Sequence, residues 1–377
     1  MNGSPALTLT PAAGEERARP ALRVAVVGMS AGPTCGARDH AVLLAEGLSR
    51  KHVSCSLHWL TRSTESMPAA RAEVRAWARA LAAELDRDRP DAVLLHYSVF
   101  AYAHRGLPLF VSATLSALRS SRVPVLTVLH EFVYPWRHGG WRGKVWALTQ
   151  RACLIGVMRL SAAVVSTTDF RAEWLASRPW LPQRRAVVAP VFSNLPPPAA
   201  APPAPRPDPV VGLFGYSYQG AAVALVLDAV RRVRDRGRDV RLALLGAPGH
   251  PSAAAQTWLD AARAHGVEQA LSFSGTLAAQ DLSNALAACE ILLFVDASGP
   301  SSRKGTLAGS LASGRPVIAI DGPRRWSELI RREAAAVVPP TSRALAEAIA
   351  ALLADEHARA ALGARGRAFA EQRMSVA

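Results

Sequence analysis

Six consecutive residues, Ser301, Ser302, Arg303, Lys304, Gly305 and Thr306, bring two cations, three hydroxyls and a glycine together immediately before a short helical pattern. Backbone N–H groups at a helix start have no intrahelical partner and carry partial positive charge, so an anion is stabilised there. Gly305 would let a phosphate approach the backbone closely. The surrounding stretch, GPSSRKGTLAGSLASGRPVIAIDG from Gly299 to Gly322, reads as a polar loop, a helix, a Gly-Arg-Pro turn and a buried strand. Taken alone it describes either a phosphate seat or a well-capped surface loop, since hydroxyl residues also favour ordinary helix starts.

The elements that must position such a site alternate. Strands are expected at Arg23–Gly28, Ser54–Leu60, Ala92–His96, Val125–His130, Ala162–Ser166 and Ala186–Ala189, with helices between most of them, notably Asp39–Arg50 and Ala69–Arg87. The stretch NLPPPAAAPPAPRPDP, residues 194–209, is too rich in proline for helix or central strand and reads as an extended linker. After it the alternation restarts, with strands at Val210–Phe214, Val240–Gly246, Leu271–Ser274 and Ile291–Val295 and helices from Val223 through to a final pair, Ser342–Ala354 and Glu356–Gln372. Short apolar strands alternating with helices imply parallel α/β sheets. The expected organisation is a disordered leader over 1–20, a Rossmann-like domain over 21–193, the linker over 194–209, a second Rossmann-like domain over 210–365, and a helix end over 366–377 packing back on the first domain. Two such domains face an interdomain cleft, and ligands of parallel sheets bind beyond the carboxyl ends of the strands.

Composition narrows the partners. The net charge is +15, from 44 Lys and Arg against 29 Asp and Glu, which favours anionic ligands or surfaces. No nucleic-acid-binding motif accompanies it, so nucleic acid is not an expected partner. The four cysteines are scattered without metal-ligand spacing and read as buried thiols in a reducing compartment. The N-terminal residues lack a signal-peptide pattern, and no apolar run is long enough for a membrane span, so a cytoplasmic protein is expected.

Several segments, in order, resemble the GT-B glycosyltransferases, particularly family 4 (group 1). PTCGARDHAVLLAEGL is similar to that family's Gly-rich loop and first helix, and PVLTVLHEF to its strand ending in a histidine. APVFSNLP is similar to the close of its first domain, VGLFGY to its restart strand, and SSRKGTLAGSLASGRPVIA to its donor-site helix. The resemblance implies an α/β fold of GT-B type and a retaining transfer of sugar from a nucleoside-diphosphate-sugar to a glycan or lipid-linked acceptor. No cofactor and no metal are implied, and partner contact extends to the inner face of a membrane.

The resemblance also assigns roles. His130, Arg303 and Lys304 are the expected catalytic residues, the two cations stabilising the leaving diphosphate. Gly36, Gly215, Ser302, Gly305, Thr306 and Glu328 are expected to bind the donor, Glu328 either reaching the ribose in place of the family's glutamate or standing as a solvated acid at a helix start. On the acceptor side stand His40, Tyr97 and Trp136. Phe132–Trp146 interleaves aromatics with basic residues, a composition suited to a membrane interface or to stacking on a sugar. Seven of the nine tryptophans precede the linker, which fits a bulky acceptor on the first domain.

Two departures stand out. The family usually carries two glutamates flanking the donor helix, where this chain has Ser301 and Gly309, and a lysine after the restart strand, where it has Gln219. These departures keep two other readings open: a GT-B-shaped protein that binds a sugar nucleotide or a partner without catalysis, and a UDP-sugar epimerase.

Overall fold

The computed structural model describes residues 7–9, 22–32, 35–64, 66–136, 139–199, 208–218, 220–246, 248–249 and 252–376. The chain forms two compact units, Met1–Ala189 with Val376–Ala377, and Pro190–Ser375.

The first unit is built on a sheet of seven strands. They are β1 (Leu7–Leu9), β2 (Arg23–Ser30), β3 (Ser54–Thr61), β4 (Ala92–Ser98), β5 (Val125–Glu131), β6 (Ser161–Ser166) and β7 (Arg185–Val188), in the spatial order β1-β3-β2-β4-β5-β6-β7. All pairs are parallel except β1 with β3. Helices α1 (Gly36–Ser49), α2 (Met67–Asp88), α3 (Val111–Ser121), α4 (Gly140–Leu160) and α5 (Asp169–Ala176) connect the strands. The central strands are apolar on both faces, as a parallel sheet covered by helices requires: Val26, Val27, Val93, Leu95, Val125 and Leu129 are all buried. The apolar stripe of α2, Ala70, Val74, Ala78, Leu81 and Leu85, recurs every three or four residues and packs into the same core.

The second unit has six parallel strands: β8 (Val210–Phe214), β9 (Arg241–Leu245), β10 (Leu271–Phe273), β11 (Ile291–Phe294), β12 (Val317–Ile320) and β13 (Ala336–Val338), ordered β10-β9-β8-β11-β12-β13. Its helices are α6 (Gly220–Arg234), α7 (Ala253–Ala264), α8 (Ala279–Ala287), α9 (Gly305–Ala312), α10 (Ser327–Arg331), α11 (Ser342–Ala354) and α12 (Glu356–Arg373). The side chains of Ser252, Thr341 and Asp355 cap α7, α11 and α12 by accepting the N–H three residues on.

Three sequence expectations change. Within the segment expected to be a disordered leader, Leu7–Leu9 form an edge strand; their alternation with threonine has the period of a strand. The segment Phe132–Trp146, to which the sequence assigned no helix, is helical from Gly140, where two glycines with positive φ, Gly139 and Gly140, turn the chain into α4. The start of the proline-rich linker is part of the second unit. Ser283 Oγ donates to the Pro196 carbonyl at 2.6 Å, Gln280 Nε2 to that of Pro197 at 3.0 Å, and Asn284 Oδ1 accepts the Ala199 N–H at 2.9 Å. One face of α8 thus satisfies a backbone that proline leaves without partners of its own. Pro190–Ser193 also pack here, with the Val191 N–H bonded to the Ser302 carbonyl at 2.7 Å.

Candidate functional site

In each unit the strand order reverses at one place, and such a switch point leaves a crevice beyond the strand carboxyl ends. In the first unit the reversal falls between β2 and β4, and in the second between β8 and β11. The candidate residues gather at both.

At the first switch point, His40 from the second turn of α1, His96 from β4 and His130 from the end of β5 converge. Their ring centroids are 5.3 to 5.5 Å apart, and the His96 and His130 rings are stacked. His96 Nδ1 and His130 Nε2 share a hydrogen bond of 3.0 Å. Burial pushes the His40 imidazole down to about 4. Burial, with the charges of His40 and Arg171, pushes that of His130 down to about 3. His96 is lowered as well, by burial first and then by the other two histidines. All three rings are neutral at pH 7, able to donate and accept hydrogen bonds without adding charge. Among the described residues they are the one group of His, Cys, Asp or Glu side chains close enough to share a metal ion.

The backbone carbonyl of His130 accepts from Arg171 Nη1, and Arg171 Nη2 bonds Glu131 Oε2 at 2.8 Å. That carbonyl is engaged by the protein, so it is the His130 ring that faces the cluster. Gly36 opens α1 with empty space where a side chain would stand. The other two acceptor-side candidates lie elsewhere. Tyr97 is 1% exposed and packs on Tyr102 in the core, because side chains alternate along β4 and its neighbour His96 takes the opposite face. Trp136 is half exposed under the guanidinium of Arg151.

At the second switch point, β8 is followed by Gly215 at φ +69°, and a Cβ there would come 3.2 Å from Thr306 Cγ2 in the first turn of α9. The glycine therefore brings the chain after β8 against the helix start, as a backbone that must approach a ligand closely requires. Ser301 and Ser302 are buried under this turn, and Lys304 stands at the N-cap of α9. Lys304 Nζ is 2.6 Å from Asp296 Oδ2, just beyond β11. Burial alone would raise the Asp296 carboxyl, but hydrogen bonds from Lys304 and from Ser298 outweigh it and hold it below the ordinary carboxylate range.

Gly309, one helical turn further, is sealed: a Cβ there would lie 3.0 Å from the Phe214 ring and 3.1 Å from Leu195 Cδ1. Glu328 is held by Arg373 at 3.1 Å and Arg332 at 3.4 Å, on the α10–α12 side of the unit. Gln219 lies outside the described residues. His96, Arg171 and Asp296 are site residues that the sequence did not single out. The signal available for His96 and Asp296 was position at a strand carboxyl end; for Arg171 there was none.

Two α/β units, each with its polar cluster at a strand-order reversal, define the GT-B architecture. The chain aligns with a glycosyltransferase from Rickettsia africae at TM-score 0.68 and 14% identity, over 94% of this chain and 95% of that one. It aligns with sucrose-phosphate synthase from Thermosynechococcus elongatus at 0.66 and 14%, again over 94% and 95%. With HepE from Anabaena, in complex with UDP and glucose, the values are 0.63 and 16%, over 94% and 96%. Residues 208–355, which carry the Gly215–Thr306 approach, match the family of glycosyl transferases group 1. None of the curated proteins matches the sequence.

Proposed function

We propose that the protein is a retaining glycosyltransferase that takes a sugar from a nucleoside-diphosphate donor, a UDP-sugar such as the UDP-glucose bound in a second HepE structure, and passes it to a glycan or lipid-linked acceptor. The observation that carries this reading is the approach of Gly215 to Thr306 at the N-terminus of α9, inside the group 1 match. There the backbone N–H groups of Gly305 and Thr306 would receive the diphosphate, with Arg303 and Lys304 beside them. Stabilising charge on the departing diphosphate is the largest contribution such a site can make. Retention needs no protein nucleophile if the leaving phosphate assists the incoming hydroxyl, and the reaction draws on no cofactor. The neutral imidazoles of His40 and His130 would orient sugar hydroxyls on the acceptor-side unit.

The reading extends to peripheral membrane contact. Helix α4 exposes Trp141, Val145 and Leu148 along one stripe, with Arg142 and Lys144 interleaved. No described helix is long and apolar enough to cross a membrane.

The test is to incubate the purified protein with mass-tagged nucleotide sugars, with and without membrane extract, and follow release of nucleoside diphosphate. Acceptor-dependent release is expected. Tight donor binding without turnover would make the protein a sugar-nucleotide binder instead, and epimerised free donor would make it an epimerase. The double variant Arg303→Ala/Lys304→Ala should lose donor binding; unchanged binding would remove the phosphate from α9.

A further inference from the structure

A cavity of about 120 Å³ opens in the first unit among Trp136, Arg151, Trp174, Arg178 and Trp180. It lies between α4, which carries Arg151, and α5 with the turn that follows it. The Arg151 guanidinium sits 4.3 Å from the centre of the Trp136 ring, and that of Arg178 lies 4.9 Å from Trp174. Trp180 meets Trp174 edge-on, with centroids 6.0 Å apart.

The charges in this cavity are unbalanced. Arg151 donates Nη1 to the carbonyls of Tyr134 and Ala147, which fixes its direction but brings no negative charge. Arg178 Nε is buried and has no hydrogen-bond partner. Among the described residues no carboxylate forms an ion pair with either guanidinium, although the other arginines of this chain pair freely along its helices. Burial lowers the proton affinity of Arg151, and the positive charge of Arg178 lowers it further, so the two guanidiniums feel one another. Like charges sharing an indole-walled cavity, with a buried N–H left over, destabilise the empty site and favour an anion that bridges them. A planar guanidinium fork matches phosphate geometry, and indole faces accept the apolar or sugar portion of what the phosphate carries.

We infer that this cavity binds a phosphate ester, its phosphate bridging Arg151 and Arg178 and its organic part lying against Trp136, Trp174 and Trp180. As the place where a phosphate-bearing acceptor docks, it rests on the transferase reading; as a binding site it does not.

Tryptophan fluorescence of the full chain, titrated with glycerol 3-phosphate and with short-chain dihexanoyl phosphatidic acid, tests the inference. Dihexanoylglycerol, which lacks the phosphate, is the control. A saturable change is expected with one or both phosphate esters and none with the control. Binding of the soluble ester alone assigns the site to a sugar phosphate or similar metabolite, and binding of the lipid alone assigns it to a lipid carrier. Arg178→Gln should weaken binding by about tenfold or more, the loss of one charge-assisted contact. Arg151→Lys keeps the charge but removes the fork, and should weaken it by less. Both variants should keep the affinity of the second unit for UDP, measured by calorimetry, which also reports that they fold. Equal binding of dihexanoylglycerol, no binding of either ester, or wild-type affinity in Arg178→Gln would overturn the proposal. Ester binding by a protein that binds no UDP would leave the site standing and remove the transferase reading.

Discussion

Lys304 Nζ and Asp296 Oδ2 form an ion pair of 2.6 Å at the entrance of α9. Lys304 is a third exposed and Asp296 half that, so the pair is only partly screened by water. The aspartate aims the lysine and at the same time subtracts from the positive field that a diphosphate would meet.

Removing the carboxylate charge should therefore strengthen nucleotide binding. In Asp296→Asn the affinity for UDP is expected to rise by about threefold to tenfold, within the ordinary range for one nearby charge. Calorimetric titration checks it, and a weaker affinity would show that Asp296 positions Lys304 more than it opposes the ligand.

The sealed position of Gly309 predicts a packing penalty. Gly309→Ala should destabilise the second unit by about 1 kcal/mol, an overpacking cost of about 1–3 kcal/mol offset in part by the roughly 1 kcal/mol that alanine gains over glycine inside a helix. Adding Leu195→Ala opens one wall, so the double variant should lose less than the sum of the two single losses. Denaturant unfolding of the four proteins gives the coupling; strict additivity would mean that Leu195 does not close the site.

Arg171 links the end of β5 to α5 through the His130 carbonyl and Glu131. Arg171→Met should lower sugar transfer by about tenfold or more, since small misplacements of a positioned group weigh heavily on rate. UDP affinity should stay unchanged, because the proposed donor site lies in the other unit. A parallel fall in UDP binding would contradict this division of labour.

Asp228 ties α6 to α11. Its carboxylate accepts from Ser342 Oγ, Arg232 and Arg231, and these bonds hold its carboxyl well below the ordinary range. A carboxyl lowered in the folded state stabilises the fold at any pH above its unfolded value of about 3.9, and that contribution drains away as pH falls toward the folded value. Asp228→Asn should cost about 1–2 kcal/mol at pH 7, with the gap to the parent narrowing below about pH 4. A gap independent of pH would assign the loss to packing.

The exposed stripe of α4 predicts salt-sensitive membrane binding. Trp141→Ser with Leu148→Ser should reduce co-sedimentation with phosphatidylglycerol vesicles by about tenfold or more, and high salt should weaken the parent protein too. Equal sedimentation with neutral phosphatidylcholine vesicles would remove the electrostatic part of the argument.

Apart from β1 and β13, the strands and their order of appearance were legible because a parallel sheet covered on both sides makes each strand a short unbroken apolar run, as in RVAVVG and ILLF. Helix α4 was harder to see. Trp141, Val145 and Leu148 face solvent while Gln150 is buried, so its apolar residues do not mark an inward face. The linker was recognisable as extended from its prolines, but nothing local shows that Ser283, Gln280 and Asn284 will bond to it from more than eighty residues away. His130 and the α9 loop stood out as chemistry at strand and helix ends. The partners that fix them, His96, Arg171 and Asp296, come from other elements, and only the sheet order brings them together.

Gly309 also constrains what a single substitution can do in this loop and helix. A glutamate introduced there would press its Cβ on the Phe214 ring and on Leu195 Cδ1, and both would have to give by a few tenths of an ångström to admit it. The position therefore works as a latch: a side chain can be added at residue 309 only in step with room made at Phe214 or Leu195.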